Sequence, residues 1–444
     1  MIHEAHARGM AFHAWLNPGQ AAWAAANRGL KVQLLEMKPA QKTPAHKSNL
    51  FAELVCSNSL KALRLASAAG LLKAEMRLLG SLCLTAAETC TVPAGGALAV
   101  ERNAFSAYIT QKIKSHPNIT VQQQTVTSLP QQGVTVVATG PLTEGALADD
   151  IAHLTGQEYL SFYDAAAPIV SFESVDMGQA FFASRYGKGN GDDYINCPLD
   201  KVQYTAFRQE LITAERALLH DFEKKREIYE GCMPIEVLAA RGEDAMRFGP
   251  MKPVGFTNPA TGHRPWAVLQ LRREDPAGNM YNLVGFQTNL KFGEQKRVFS
   301  MIPALKKAEF LRYGVMHRNS FIQSPKLLAP NLALRQNGNV FFAGQLSGVE
   351  GYMESAASGI LCGINAAAKV LGKPPLILPQ STMIGALLHY ITTPREDRFE
   401  PMGANFGILP KPAERIKNKT ERYTVVAERA LAELKQALKG EQLV

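Results

Sequence analysis

Two hydrophobic textures alternate at both ends of this chain. Residues 20–28 are alanine-rich helix formers closed by Gly29, and residues 31–36 are an apolar run ending on Glu36. Small unbranched residues favour helix and glycine stops it, so the pair predicts a helix leading into a buried strand. That succession is the back half of a dinucleotide-binding βαβ unit, in which the terminal acid accepts from ribose hydroxyls. Residues 134–140 predict another buried strand meeting a turn at Ala138, Thr139 and Gly140. Residues 339–343 predict a further strand, which runs into Gly344, Gln345, Gly348 and Gly351 and then a helix of small residues near Met353. Parallel strands covered on both faces carry such unbroken apolar runs. Glycines at their ends let backbone N–H groups and a helix N-terminus approach an anionic cofactor. Gly359 and Gly363, inside the predicted helix, suit close packing of helix on sheet.

Between about 160 and 280 the pattern changes. Aromatic and polar residues alternate, a glycine loop occupies 187–191, and a charged helix is predicted over 206–227. An inserted α+β domain accounts for this, since the strand at 339–343 needs the first domain's sheet to join. The expected division is 1–160 and 280–444 for the cofactor domain, in two segments, with 161–279 inserted. Near the C-terminus Lys411, Arg415, Lys417, Lys419 and Arg422 stand among acids at helical spacing, which predicts a solvated amphipathic helix.

The partner glycine turn is damaged. Counting back from the helix at 20–28, a GxGxxG turn belongs at about positions 13–18, which hold His13, Ala14, Trp15, Leu16, Asn17 and Pro18. Those glycines normally permit the tight turn, the approach of the pyrophosphate and close helix packing. Asn17 as N-cap with Pro18 at the first helical position still starts the helix. The preceding stretch, Ala7 to Met10, makes a poor first strand. A misread start upstream of intact sequence accounts for this, and so does a paralogue with weakened cofactor binding.

Composition narrows the class. The 444 residues are 46% hydrophobic and 20% charged, as in a globular protein with substantial cores. A net charge of +9 suits a polyanionic partner such as RNA. No apolar run reaches the ~18 residues of a membrane span, and the N-terminus does not lead into a signal-peptide core. Cys56, Cys83, Cys90, Cys197, Cys232 and Cys362 form no CxxC pair, so reduced thiols in a cytoplasm are expected and no metal site is.

From Gln20 onward the chain resembles the bacterial folate- and FAD-dependent tRNA (uracil-5-)-methyltransferase family, TrmFO. The resemblance rests on blocks at Leu35–Pro39, Thr43–His46, Phe51–Leu60, Val92–Val100, Phe162–Pro168, Glu230–Pro234, Tyr313–Asn319 and Phe341–Gly359. It implies an α/β fold, with a glutathione-reductase-like FAD-binding domain of Rossmann type in two segments around the inserted α+β domain. It implies 5,10-methylenetetrahydrofolate as carbon donor, NAD(P)H as reductant and a T-loop uridine of tRNA as acceptor. Uracil C5 becomes nucleophilic only after a nucleophile adds at C6, a task suited to a thiolate. Cys232 is carried over as that nucleophile and Cys56 as its partner at the flavin. Cys83, Cys90, Cys197 and Cys362 read as buried hydrophobes. His317 and Arg318 are candidates for folate or RNA phosphate, or for structural roles. Rival readings are a flavin-poor RNA-binding paralogue and the same chemistry on ribosomal RNA. A third is the longer wobble-uridine enzyme family, whose extra C-terminal helical domain this chain is expected to lack.

Overall fold

The computed structural model describes residues 10–13, 16–43, 45–156, 160–165, 167–187, 191–217, 233–314, 316–396, 399–412 and 414–439. Two hydrophobic cores organise them. Strands β1 (Met10–His13), β2 (Val32–Glu36), β3 (Ile119–Gln123) and β4 (Thr135–Val137) come first in the chain. They are followed by β5 (Ile169–Ser171), β6 (Phe181–Phe182), β7 (Tyr194–Leu199), β8 (Ala267–Arg273), β9 (Met280–Leu283) and β10 (Phe310–Arg312). Finally come β11 (Ala333–Leu334) and β12 (Asn337–Phe342).

The first sheet has the order β11-β12-β4-β1-β2-β3 and is parallel except at β11. Strand β1 is central: Met10 pairs with Val32, His13 with Leu35, and Ala11 with Thr135 on the other side. The first strand therefore exists, displaced toward the C-terminus from the Ala7–Met10 stretch. Helix α1 (Leu16–Ala26) follows two residues after it. Asn17 and Pro18 fall within its first turn rather than at cap and first position, and there the missing proline N–H has no intrahelical partner to lose.

Four further helices matter for the site and its surroundings: α2 (Ala68–Leu78), α3 (Lys201–Thr213), α4 (Tyr352–Val370) and α5 (Met383–Thr392). A last helix, α6 (Lys419–Ala437), ends the described chain. Ala21, Ala22 and Ala25 of α1 are fully buried, and so are Ala356, Ile360 and Gly363's neighbour Cys362 in α4. A Cβ on Gly363 would stand 2.3 Å from the carbonyl oxygen of Ala21. Gly363 thus serves helix-on-helix packing, not the helix-on-sheet packing its sequence position suggested.

The second sheet is antiparallel in the order β6-β7-β8-β9-β5-β10 and has its own core, including Val170, Phe207, Leu269, Tyr281, Phe286 and Phe299. Helix α3 covers it, started by a capping box between Asp200 and Gln203. It begins and ends earlier than the charged helix expected at 206–227, and residues 218–232 lie outside the described ones. The chain passes between the layers through an antiparallel ribbon in which Leu160 pairs with Phe321 and Ala165 with Met316. No described helix is long and apolar enough to cross a membrane.

Candidate functional site

The site forms where the parallel strands of the first sheet end. At the C-terminus of β2, Glu36 is 3% exposed. Its Oε1 accepts the Lys38 N–H at 2.8 Å, while Oε2 is buried without a hydrogen-bond partner among the described residues. Burial raises the carboxyl above its ordinary value, against the opposing pull of the Lys38 amide and ammonium. Glu36 lines a small cleft with His46, Val126, Thr139, Thr143 and Leu147. An orphaned buried acceptor in such a cleft suits a hydroxyl-bearing ligand, because leaving it unmet is costly. Thr139 Oγ and Thr143 Oγ lie 2.6 Å apart, and Ala138 is fully buried behind them. Gly140 turns the chain with φ +79°.

The second glycine run behaves differently along its length. The Gly344 N–H donates to Ser358 Oγ at 2.7 Å and the Gly348 N–H to the Gln345 carbonyl at 2.9 Å. Gln345 Nε2 donates to Glu350 Oε2 at 2.7 Å. The space beside Gly348 is filled by the Phe399 ring, and that beside Gly351 by the Glu354 carboxylate. Gly351 precedes α4 with φ +120° and no side chain caps that helix. Helix N-terminal N–H groups without a side-chain cap suit an anion. Glu354, in that turn, binds Lys61 Nζ at 2.6 Å through Oε1, and its buried Oε2 has no partner among the described residues.

Cys56 sits against the start of α4. Its N–H donates to Tyr352 Oη at 3.0 Å, and its Sγ lies 3.0 Å from the same oxygen. Its carbonyl accepts from Arg102 Nη2 and Arg312 Nη2, each at 3.0 Å. Arg102 also pairs with Glu274 from the second sheet, Nε to Oε2 at 2.6 Å. Burial works against the Arg102 charge, but Glu274 outweighs it and holds the guanidinium above its ordinary value. Arg272 and Arg312, less well paired, are pushed down by burial. Burial, reinforced by Cys56, raises the Tyr352 hydroxyl well above its ordinary value, so it stays protonated.

Beside Cys56 opens a cavity of about 750 Å³ between the layers, lined by Lys47, Glu53, Arg102, Phe292, Phe310, Arg312 and Tyr313. Tyr313 stacks between Phe292 and Phe310, with centroids 5.0 and 5.5 Å away and planes within 14° and 9°. Flat rings beside cations suit a planar, partly anionic ligand. Cys232 lies outside the described residues, and so do the side chains of His317 and Arg318. Cys83, Cys197 and Cys362 are fully buried and burial pushes their thiols far up, so they are inert; Cys90 is half-buried.

Arg102, Arg312 and Glu274 were not singled out from the sequence. They come from three distant segments, and no local spacing marks them. Tyr352 was inside a recognised block, but its partner stands 296 residues away.

Residues 19–374 match the family described as glucose inhibited division protein A. A methylenetetrahydrofolate–tRNA-(uracil-5-)-methyltransferase TrmFO of Desulforamulus reducens is 54% identical over 430 residues, covering 97% of each chain. The protein so named in Moorella thermoacetica is 55% identical, over 93% of this chain and 94% of its own. The structure of Aquifex aeolicus GidA superposes with a TM-score of 0.69 at 16% identity, over 98% of this chain and 77% of that one. That likeness carries the fold.

Proposed function

Because the chain belongs to the TrmFO family, we propose that it is an FAD-dependent methylenetetrahydrofolate–tRNA-(uracil-5-)-methyltransferase. The observation that carries the reading is the junction of Cys56 with Tyr352 at 3.0 Å. It sets a cysteine of the first cofactor segment at the uncapped helix of the second.

The described residues fit FAD. The orphaned Glu36 Oε2 in its cleft suits the adenosine ribose, and the first turn of α4 suits a phosphate or the electron-rich edge of the flavin. Ala138, Thr139 and Gly140 flank the adenosine end; Gly344, Gln345, Gly348 and Gly351 shape the turn ahead of α4. When bound, the flavin supplies the one-carbon and redox chemistry, with 5,10-methylenetetrahydrofolate as carbon source and NAD(P)H as reductant.

The chain's own residues do the rest. Cys232 adds through Sγ to C6 of the T-loop uracil, which makes C5 an enolate carbon able to accept the methylene unit. Loss of the C5 proton, reduction of the transferred methylene to methyl by equivalents drawn from NAD(P)H, and expulsion of the thiolate restore the aromatic base as 5-methyluracil. Cys56 works at the flavin, its thiol oriented by Tyr352 and its backbone fixed by Arg102 and Arg312. The cavity with Phe292, Phe310 and Tyr313 stacks a flat ring, and Lys47 and Arg312 meet its negative end.

The test is methylation of a tRNA transcript by purified protein with FAD, NAD(P)H and labelled methylenetetrahydrofolate. Label should appear at uracil C5, and Cys232→Ala should abolish transfer while leaving the far-ultraviolet circular dichroism unchanged. A wild-type rate in Cys232→Ala, or a protein that stays colourless in excess FAD and inert on tRNA, would overturn the assignment.

A further inference from the structure

The basic C-terminal stretch is not the plain solvated helix its spacing suggested. Only Lys419 and Arg422 lie on α6; Lys411, Arg415 and Lys417 precede it, on the loop carrying Pro410 and Pro412. That loop and the start of α6 enclose a groove of about 480 Å³ lined by Phe406, Lys411, Arg415, Arg422 and Tyr423, with Glu414 the acid in it. Phe406 and Tyr423 stack at 4.1 Å with planes 11° apart. Lys419 Nζ and the Arg422 guanidinium lie 5.6 and 5.5 Å from the Tyr423 ring.

The groove is built, not incidental. Arg429 donates to the carbonyls of Pro410 and Lys411 at 2.5 and 3.3 Å, Arg422 to that of Ile416 at 3.2 Å. Asn418 caps α6 through the N–H groups of Thr420 and Glu421. The interior side of the loop is thus fixed by two arginines. Lys411, Arg415, Lys417 and Lys419 remain exposed, and none forms an ion pair among the described residues. Five cations against the acids Glu414 and Glu421 leave the segment 411–423 strongly positive.

Its position ties it to the site. The Met402 N–H donates to the Gly348 carbonyl and the Met402 carbonyl accepts from Glu350, so the chain leaves the glycine turn directly for Phe406. Four residues span at most about 14 Å. Unpaired cations around an aromatic pair, this close to the glycine turn, match the charge of a sugar–phosphate backbone better than any neutral partner.

We infer that this groove is a docking surface for the phosphate backbone of the tRNA substrate, outside the loop that is methylated. The inference rests on the function proposed above. The groove holds the body of the RNA through phosphates, independent of sequence, while the methylated loop is presented to the site at Cys56 and Cys232.

The experiment uses the full-length flavin-loaded protein and a full-length tRNA transcript. A variant combining Lys411→Ala, Arg415→Ala, Lys417→Ala and Lys419→Ala is compared with wild type by fluorescence anisotropy across a salt series and by steady-state methylation. Expected are a Kd about tenfold or more higher near physiological salt and a salt slope reduced by roughly 0.7–0.9 for each phosphate that the variant leaves unneutralised. KM for tRNA should rise in proportion, with kcat and flavin content unchanged. A companion variant with Lys411→Arg, Arg415→Lys, Lys417→Arg and Lys419→Arg keeps the charges and should bind as wild type. Unchanged Kd and salt slope in the alanine variant would overturn the inference, as would loss of binding in the charge-conserving one. Groove-dependent tRNA binding by a wild-type protein that never methylates would instead sink the methyltransferase reading and leave the groove standing.

Discussion

Replacing Gly363 by alanine puts the packing of the cofactor domain to a signed test. The new Cβ would stand 2.3 Å from the Ala21 oxygen, 2.9 Å from its Cα and 3.0 Å from its carbonyl carbon, all main-chain atoms of α1. Ordinary contact begins near 3.4 Å, so α1 and α4 must part by about 1 Å. Backbone cannot rotate away as a side-chain tip does, which puts the overpacking cost at the upper end of about 1–3 kcal/mol. Alanine's better helix propensity returns about 1 kcal/mol. The net expectation is a loss of roughly 2 kcal/mol, read as a lower urea midpoint at constant m value. Gly19 is the control on the facing helix: a Cβ there meets nothing nearer than 3.8 Å. Gly19→Ala should therefore hold or raise stability by up to about 1 kcal/mol. A Gly363→Ala protein as stable as wild type would refute the argument that glycine is required for the close approach.

Two further outcomes follow from buried charges. Glu75, fully buried on α2, accepts the Met383 and Ile384 N–H groups at 2.7 and 2.8 Å at the start of α5, and burial raises its carboxyl to about 7. The folded state therefore holds the proton more tightly than the unfolded chain. Stability from this group is full below pH 4.5 and is lost as pH rises through about 7, by at most roughly 3 kcal/mol. Glu75→Gln should flatten the stability profile over that window in urea titrations; a variant as pH-dependent as wild type would contradict this. Glu274→Ala leaves Arg102 buried without its carboxylate and should cost about 3–5 kcal/mol, with a lower urea midpoint and faster proteolysis between the two cores. A shift under about 1 kcal/mol would mean that water reaches Arg102.

The parts of the fold carried by local pattern were legible from sequence. The alanine run of α1, the apolar run of β2 ending on Glu36, and β12 with its glycines all stand where periodicity put them. Strand β1 was not legible, because Met10–His13 is short and follows Arg8 and Gly9. Its central place comes from pairing with β2 and β4, a tertiary effect that overrides weak local preference. The limits of α3 were missed although Asp200 and Gln203 spell a capping box. Likewise Asn418, a strong N-cap residue, marked the start of the last helix after Lys411, Arg415 and Lys417. The surroundings of Cys56 were out of reach for another reason. Arg102, Arg312 and Tyr352 meet it across 46, 256 and 296 residues, and no one-dimensional period encodes such a meeting.

The split of the first sheet also sets an order of events on the ribosome. Strand β4 must wait for β12 until about 200 more residues have emerged, and the small-residue face of α1 must wait for α4 until about 330 have. At 5–20 residues per second the shorter interval is roughly 10–40 s. Throughout it the nascent chain exposes an unpaired strand edge and an uncovered apolar helix, while the second sheet, whose strands lie contiguously between Ile169 and Arg312, has all its strands synthesised before β12. Chaperone demand during synthesis should accordingly fall on the N-terminal third, and a stalled chain ending before Phe342 should aggregate rather than fold.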